Sequence, residues 1–151
     1  MITNRLNELG ITLPKVAKPV ASYVPAAKIG NQVWTSGQLP MVDGVLPVTG
    51  KVGWDVNPEV ANEQARTAAL NALAAIDALV GIDNVKRVLK VTGFVASADG
   101  FTGQPGVVNG ASDLLCEVFG DDGFHVRSAV GVAELPLGAP VEVEIVVEIA
   151  D

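Results

Sequence analysis

From Val141 to Ile149 the residues alternate without a break: Val141, Val143, Ile145, Val147 and Ile149 fall on one side, and Glu142, Glu144, Val146 and Glu148 on the other. A period of two over this length is a β-strand with one face in a core. That face has to be covered. Two helical patterns supply the cover. The stronger runs from about Pro58 to Val80, with Asn57 as N-cap, Pro58 at the first helical position, Glu59 suited to the helix dipole and Gly81 as terminator. Ala61, Ala65, Ala68, Ala72, Ile76 and Leu79 recur at three- and four-residue spacing, so a mostly alanine face can lie close to a sheet. The second helix is predicted from about Gly106 to Phe119, with Val107, Ala111, Leu114, Leu115 and Val118 as its buried stripe.

The remaining segments fit around these. Residues 2–9 carry a short helical pattern (Ile2, Leu6, Leu9) ended by Gly10, and residues 11–22, with Pro14 and Pro19, read as an irregular lead-in. Tyr23–Ile29 and Gln32–Gln38 flank Gly30-Asn31 and predict a hairpin. Pro40, Asp43-Gly44, Pro47 and Gly50 mark a looped excursion. Val85–Ala98 reads as a long strand with Val88 and Phe94 on one side and Leu89, Val91 and Val95 on the other. Arg127–Leu135 is a further strand, parted from the last one by Pro136 and Gly138. The order β-β-α-β-α-β-β predicts an α+β two-layer sandwich in one domain of 151 residues, the first 20 of them an N-terminal extension.

Composition narrows the function. Lys+Arg of 10 against Asp+Glu of 17 gives a net charge of −7, which argues against a general nucleic-acid binder and against docking on an anionic membrane. One cysteine, Cys116, and one histidine, His125, exclude an intrachain disulfide framework and multi-Cys or multi-His metal sites. Cys116 falls near the second helix's apolar stripe and is expected to be buried and inert. No apolar run is long enough to span a bilayer, and the start of the chain lacks a signal-peptide pattern, so a cytoplasmic location is expected. Hydrophobic residues make up 49% of the chain with only 5% aromatic; such an aliphatic, weakly charged domain is expected to hide surface in an oligomer.

The strand before the last carries an unusual row. Val130 and Val132 fall on one face, and Arg127, Ala129, Gly131 and Ala133 on the other: one long cation, then three of the smallest residues. Small side chains on an exposed sheet face leave room for a neighbouring subunit or a ligand. The last two strands are expected to be adjacent and to offer Arg127 and Glu142 on the helix-free face, an Arg fork suited to a carboxylate beside a Glu able to orient or deprotonate water. A structural ion pair or plain solvent contact is the competing reading.

Arg127-Ser128-Ala129-Val130-Gly131-Val132-Ala133-Glu134-Leu135-Pro136, followed by Val141-Glu142-Val143-Glu144, resembles the C-terminal signature of the RidA/YjgF family of reactive intermediate deaminases. Tyr23, then Lys28 to Pro40 with its Ser36-Gly37-Gln38-Leu39-Pro40 end, is similar to the family's N-terminal hairpin, and Glu63-Gln64-Ala65-Arg66-Thr67-Ala68-Ala69-Leu70-Asn71 to its first-helix motif. The resemblance covers about residues 20–150. It implies a chorismate-mutase-like (bacillus-type) fold, one mixed sheet covered by two helices, assembled as a homotrimer with an inner β-barrel and ligand sites in the clefts between subunits. It implies hydrolysis of 2-imino and enamino acids to 2-keto acids and ammonia, with no cofactor and no metal. Arg127 would bind the substrate carboxylate and Glu142 would hold or activate the attacking water. Tyr23, Ser36 and Gly37 would line the pocket, Asn109 would lie nearby, and Ala129 would contribute backbone groups. Val24-Pro25-Ala26, the long 41–54 stretch and His125-Val126 depart from the family pattern and bear on pocket size and substrate preference. The alternative function is a non-catalytic module that binds small carboxylates in the same clefts. An endoribonuclease, a label attached to this family, is disfavoured by the acidity of the chain.

Overall fold

Asn57 starts the longest helix as its type predicts. Its side chain accepts a hydrogen bond from the Val60 amide at 2.8 Å, Pro58 occupies the first turn, and α2 (Pro58–Val80) ends at Gly81, which takes φ 82°. The computed structural model describes residues 1–18 and 21–151; Pro19 and Val20, in the expected lead-in, lie outside the described residues. The elements before α2 are α1 (Ile2–Glu8), β1 (Ala26–Ile29) and β2 (Gln32–Thr35). Those after it are β3 (Val85–Ala96), α3 (Gln104–Phe119), β4 (Val126–Val132) and β5 (Val141–Ile149). The hairpin turns at Gly30-Asn31, with Gly30 at φ 61°.

Five strands form one mixed sheet in the order β1-β2-β5-β3-β4, antiparallel throughout except for the parallel β3–β4 pair that α3 connects. The alternation of β5 is fully realised: its five apolar positions are at most 6% exposed under the helices. Each such aliphatic side chain contributes about 1.5–3 kcal/mol on burial, so a core poor in aromatics still holds. Close approach does the rest. Ala61, Ala65, Ala68 and Ala72 of α2 are fully buried. α3 crosses α2 at Gly110, where any Cβ would collide with the Asn62 carbonyl oxygen, and lies on β3 at Gly93, where a Cβ would meet Val108 Cγ2 at 2.5 Å. α1 is tied to the turn before β3: Thr3 donates its amide and its hydroxyl to Asp83 Oδ1 and Oδ2 at 2.8 and 2.7 Å, and these bonds hold the Asp83 carboxyl below its usual range.

Three expectations are corrected. Leu79 is 46% exposed: the fully buried positions of α2 end at Ile76, and beyond it Val80, not Leu79, packs against the core. Val88 shares its face with Val91 and Val95, all fully buried, and Phe94 lies opposite, because a register shift between Val88 and Lys90 breaks the simple alternation. β4 and β5 are not neighbours: β3 lies between them. This last point moves the small-residue row. Arg127, Ala129 and Gly131 pair with Val91, Gly93 and Val95, which face the helices, whereas Ser128 and Val130 pair with Thr92 and Phe94 on the helix-free face. Glu142 pairs with Phe94 on that same free face. Within one chain Arg127 and Glu142 therefore point to opposite sides of the sheet. The row is only partly covered: Arg127 and Ala129 are half-buried and Gly131 is exposed, although a Cβ at Gly131 would crowd Gln104 Nε2 and Ser97 Oγ.

Candidate functional site

Glu142 opens β5 opposite the segment that follows β2. That segment leaves the sheet after Thr35 and rejoins it at Gln38, whose amide donates to Val143 O at 2.8 Å and whose carbonyl accepts from Val143 N at 3.0 Å. Ser36 and Gly37 bow out between these points. Gly37 is the contact: a Cβ there would lie 2.6 Å from Glu142 Oε2, so only glycine lets the carboxylate rest against the backbone. A pocket opens here, lined by Lys18, Tyr23, Ser36, Gly37, Met41, Pro136 and Glu142 among others. Burial pushes the Glu142 carboxyl above the usual glutamate range, and the neighbouring Glu144 charge adds to this. The Ser36 hydroxyl donates to Pro25 O at 3.3 Å and accepts from Gln38 Nε2 at 3.2 Å. Its hydrogen is spent on a carbonyl, so it is a wall rather than a nucleophile.

Arg127 lies in a second constellation, on the other side of the sheet. Its Nη1 donates to Asn109 Oδ1 at 2.8 Å and to Ser112 Oγ at 3.3 Å, and its Nη2 donates to Pro105 O at 3.4 Å. Pro105, Asn109 and Ser112 recur at helical spacing on one stripe of α3. All three acceptors are neutral, and among the described residues Arg127 makes no ion pair. The cation is thus oriented but not neutralised, as an anion receptor requires. Ala129 follows it, partly buried against the core. His125, two residues before Arg127, bonds Ser112 Oγ at 2.9 Å through Nε2 and Gly123 O at 2.6 Å through Nδ1.

Residues 3–149 match the family described as YjgF/chorismate mutase-like, putative endoribonuclease. The chain belongs to this family. It is similar to protein TCP17 of Trypanosoma cruzi, 44% identical over 150 residues that span 98% of this chain and 94% of that protein. It is also similar to the 2-iminobutanoate/2-iminopropanoate deaminase of Dermatophagoides farinae, 33% identical over 92% of this chain and 94% of that one. Its fold is similar to the crystal structure of Atu1372, a protein with unknown function from Agrobacterium tumefaciens, at 47% identity and a TM-score of 0.90, covering 99% of this chain and 92% of that one.

In this YjgF-family chain the expected site residues divide into two groups. Tyr23, Ser36, Gly37 and Glu142 gather at one pocket; Arg127, Asn109 and Ala129 gather at the α3–β4 junction. The sequence assigns no role to Ser112 or His125, whereas the His125 ring is half-buried and hydrogen-bonded on both nitrogens, one of them to Ser112. The Pro105-Asn109-Ser112 spacing was the available signal for Ser112. Cys116 is partly buried, and burial raises its thiol pKa with Asp113 adding to the effect, so the thiolate is disfavoured. No helix among the described residues is long and apolar enough to cross a membrane, and among them no cluster of His, Cys, Asp or Glu could hold a metal ion.

Proposed function

We propose that the chain hydrolyses small 2-imino and enamino acids to 2-keto acids and ammonia, with Arg127 of one copy and Glu142 of a neighbouring copy acting on the same substrate in a homotrimer. The observation that carries this reading is the division of the site: an oriented, uncompensated guanidinium on one side of the sheet and a desolvated carboxyl in a pocket on the other. One small molecule cannot touch both within a single chain, and a second copy removes the difficulty. The helix-free face offers a surface for such packing, with Trp34 50% and Val130 43% exposed beside the half-buried Phe94 and Val146. The relative named as a 2-iminobutanoate/2-iminopropanoate deaminase, similar over nearly its whole length, supports the chemistry.

In this reading Arg127 holds the substrate carboxylate. Water held by Glu142 adds to the C=N carbon, forming a C–O bond, while its proton passes to the carboxylate. Glu142 passes that proton to nitrogen, giving a carbinolamine. It then takes the carbinolamine hydroxyl proton and delivers it to nitrogen, so that the C–N bond breaks as the C=O bond forms and ammonia leaves with the keto acid. A carboxyl with a raised pKa suits both halves of this exchange. Binding and orientation supply much of the acceleration because the imine carbon is already electrophilic.

A coupled assay tests it. An amino-acid oxidase or a pyridoxal-dependent lyase generates the imine, and keto-acid release is followed with and without the protein. The expected result is faster release, lost in Arg127→Ala and in Glu142→Ala. Unchanged release with the wild-type protein, or full activity in Arg127→Ala, overturns the proposal. Keto-acid binding without turnover of any imine would point instead to a carboxylate-binding module.

A further inference from the structure

The Arg127 cluster contains a chain of hydrogen bonds whose direction is fixed. Gly123 O can only accept, so the His125 Nδ1 that lies 2.6 Å away carries a hydrogen. In the neutral ring Nε2 is then bare and accepts from the Ser112 hydroxyl at 2.9 Å. The Ser112 oxygen in turn accepts from Arg127 Nη1. The hydroxyl hydrogen of Ser112 therefore points at His125 and is withheld from anything Arg127 binds.

Ring protonation reverses one link. Nε2 becomes a donor, the Ser112 oxygen accepts from both His125 and Arg127, and its own hydrogen has to turn elsewhere. Arg127 keeps its Nε–H and one Nη2–H without a partner among the described residues, so an anion has donors left to take. We propose that Ser112 is a further carboxylate-binding residue, its hydroxyl released to the Arg127-bound anion when His125 takes up a proton. The inference rests on the reading of Arg127 as the carboxylate anchor. Two effects act with the same sign: a freed donor and a second positive charge both favour the anion. The groups around His125 do not offset this. Ser112 bonds it from α3, where the exposed Asp113 is the next residue, Asp121 and Asp122 belong to the same turn as Gly123, Arg127 follows on β4, and Lys90 lies beside Val126 on β3. None of the carboxylates forms an ion pair with His125.

His125 is the sole histidine, so its ring resonances are read without ambiguity in the intact protein. The imidazole is titrated by NMR with and without saturating pyruvate, and pyruvate affinity is measured by calorimetry between about pH 5.5 and 8.5. The expected result is a His125 titration displaced to higher pH by at least about half a unit with pyruvate bound. Linkage then requires affinity to rise about threefold toward acid pH. Ser112→Ala should shrink the displacement by half or more, and His125→Gln should flatten the affinity profile while pyruvate still binds. A titration that pyruvate leaves in place or moves to lower pH overturns the inference, as does an undiminished displacement in Ser112→Ala; both leave the Arg127 anchor intact. Failure of the wild-type protein to bind pyruvate at any pH overturns the anchor and this inference together.

Discussion

Glu142 shows how one contact governs a side chain's chemistry. The carboxylate rests on Gly37 in a part-buried pocket, and desolvation followed by repulsion from Glu144 raises its pKa. A carboxyl whose folded-state pKa is raised contributes stability only where it is protonated, and that contribution is lost as pH rises through the folded value. At neutral pH the ionised group therefore costs stability. Glu142→Gln should melt higher than wild type at pH 7 by calorimetry, with the gap closing below about pH 4, while turnover falls by roughly 10²–10⁴-fold if the residue is the general base. The acid limb of kcat should lie above the ordinary glutamate range and vanish in the same variant. Gly37→Ala tests the contact itself. The atom its Cβ would meet is the end of a flexible side chain, so the backbone is spared and the carboxylate is displaced. Turnover should drop at least about tenfold, roughly 1.4 kcal/mol of barrier, with Tm nearly unchanged; an unaltered kcat would place the reacting atoms elsewhere. At this scale the type and position of Arg127 and Glu142 were legible in the sequence. Their faces were not, because the face of a residue depends on which strand its own strand pairs with. Ser112 and His125 were invisible as partners, since their bond joins a helix to a loop 13 residues away.

Among the elements, helix ends and the last strand were legible to within a residue or two, because capping residues and strict alternation are local signals. Asn57, Pro58 and Gly81 bracket α2 where expected, and β5 runs from Val141 to Ile149 as its pattern demands. The placement of β4 was not legible. It takes the sheet edge next to β3 in parallel, a result of the α3 crossover, and not a place beside the strand that follows it in sequence. The Val88–Lys90 register shift was equally hidden, since an irregularity in pairing leaves no mark on residue type. What holds the helical layer together is testable at Gly110, where α3 meets the Asn62 backbone of α2. Backbone cannot give way as a side chain does. Gly110→Ala should lose about 1–3 kcal/mol in denaturant unfolding despite alanine's better helix propensity. A neutral or stabilised variant would show that the two helices are not in contact there.

At the scale of the whole molecule, the proposed reaction requires a site that spans two copies of the chain. The sheet separates Arg127 from Glu142, and the helix-free face carries apolar side chains that a single copy leaves exposed. Composition pointed the same way, through 49% hydrophobic residues with few charges, though it could not say which residues meet across the seam. Mixing two dead variants decides the matter. Arg127→Ala and Glu142→Ala are unfolded together, refolded and assayed for imine hydrolysis, each variant refolded alone serving as control. If neighbouring copies supply the two residues, random assembly rebuilds intact sites and about a quarter of wild-type activity returns. A mixture as inactive as its parents, with mixed oligomers verified by native mass spectrometry, would contradict the account.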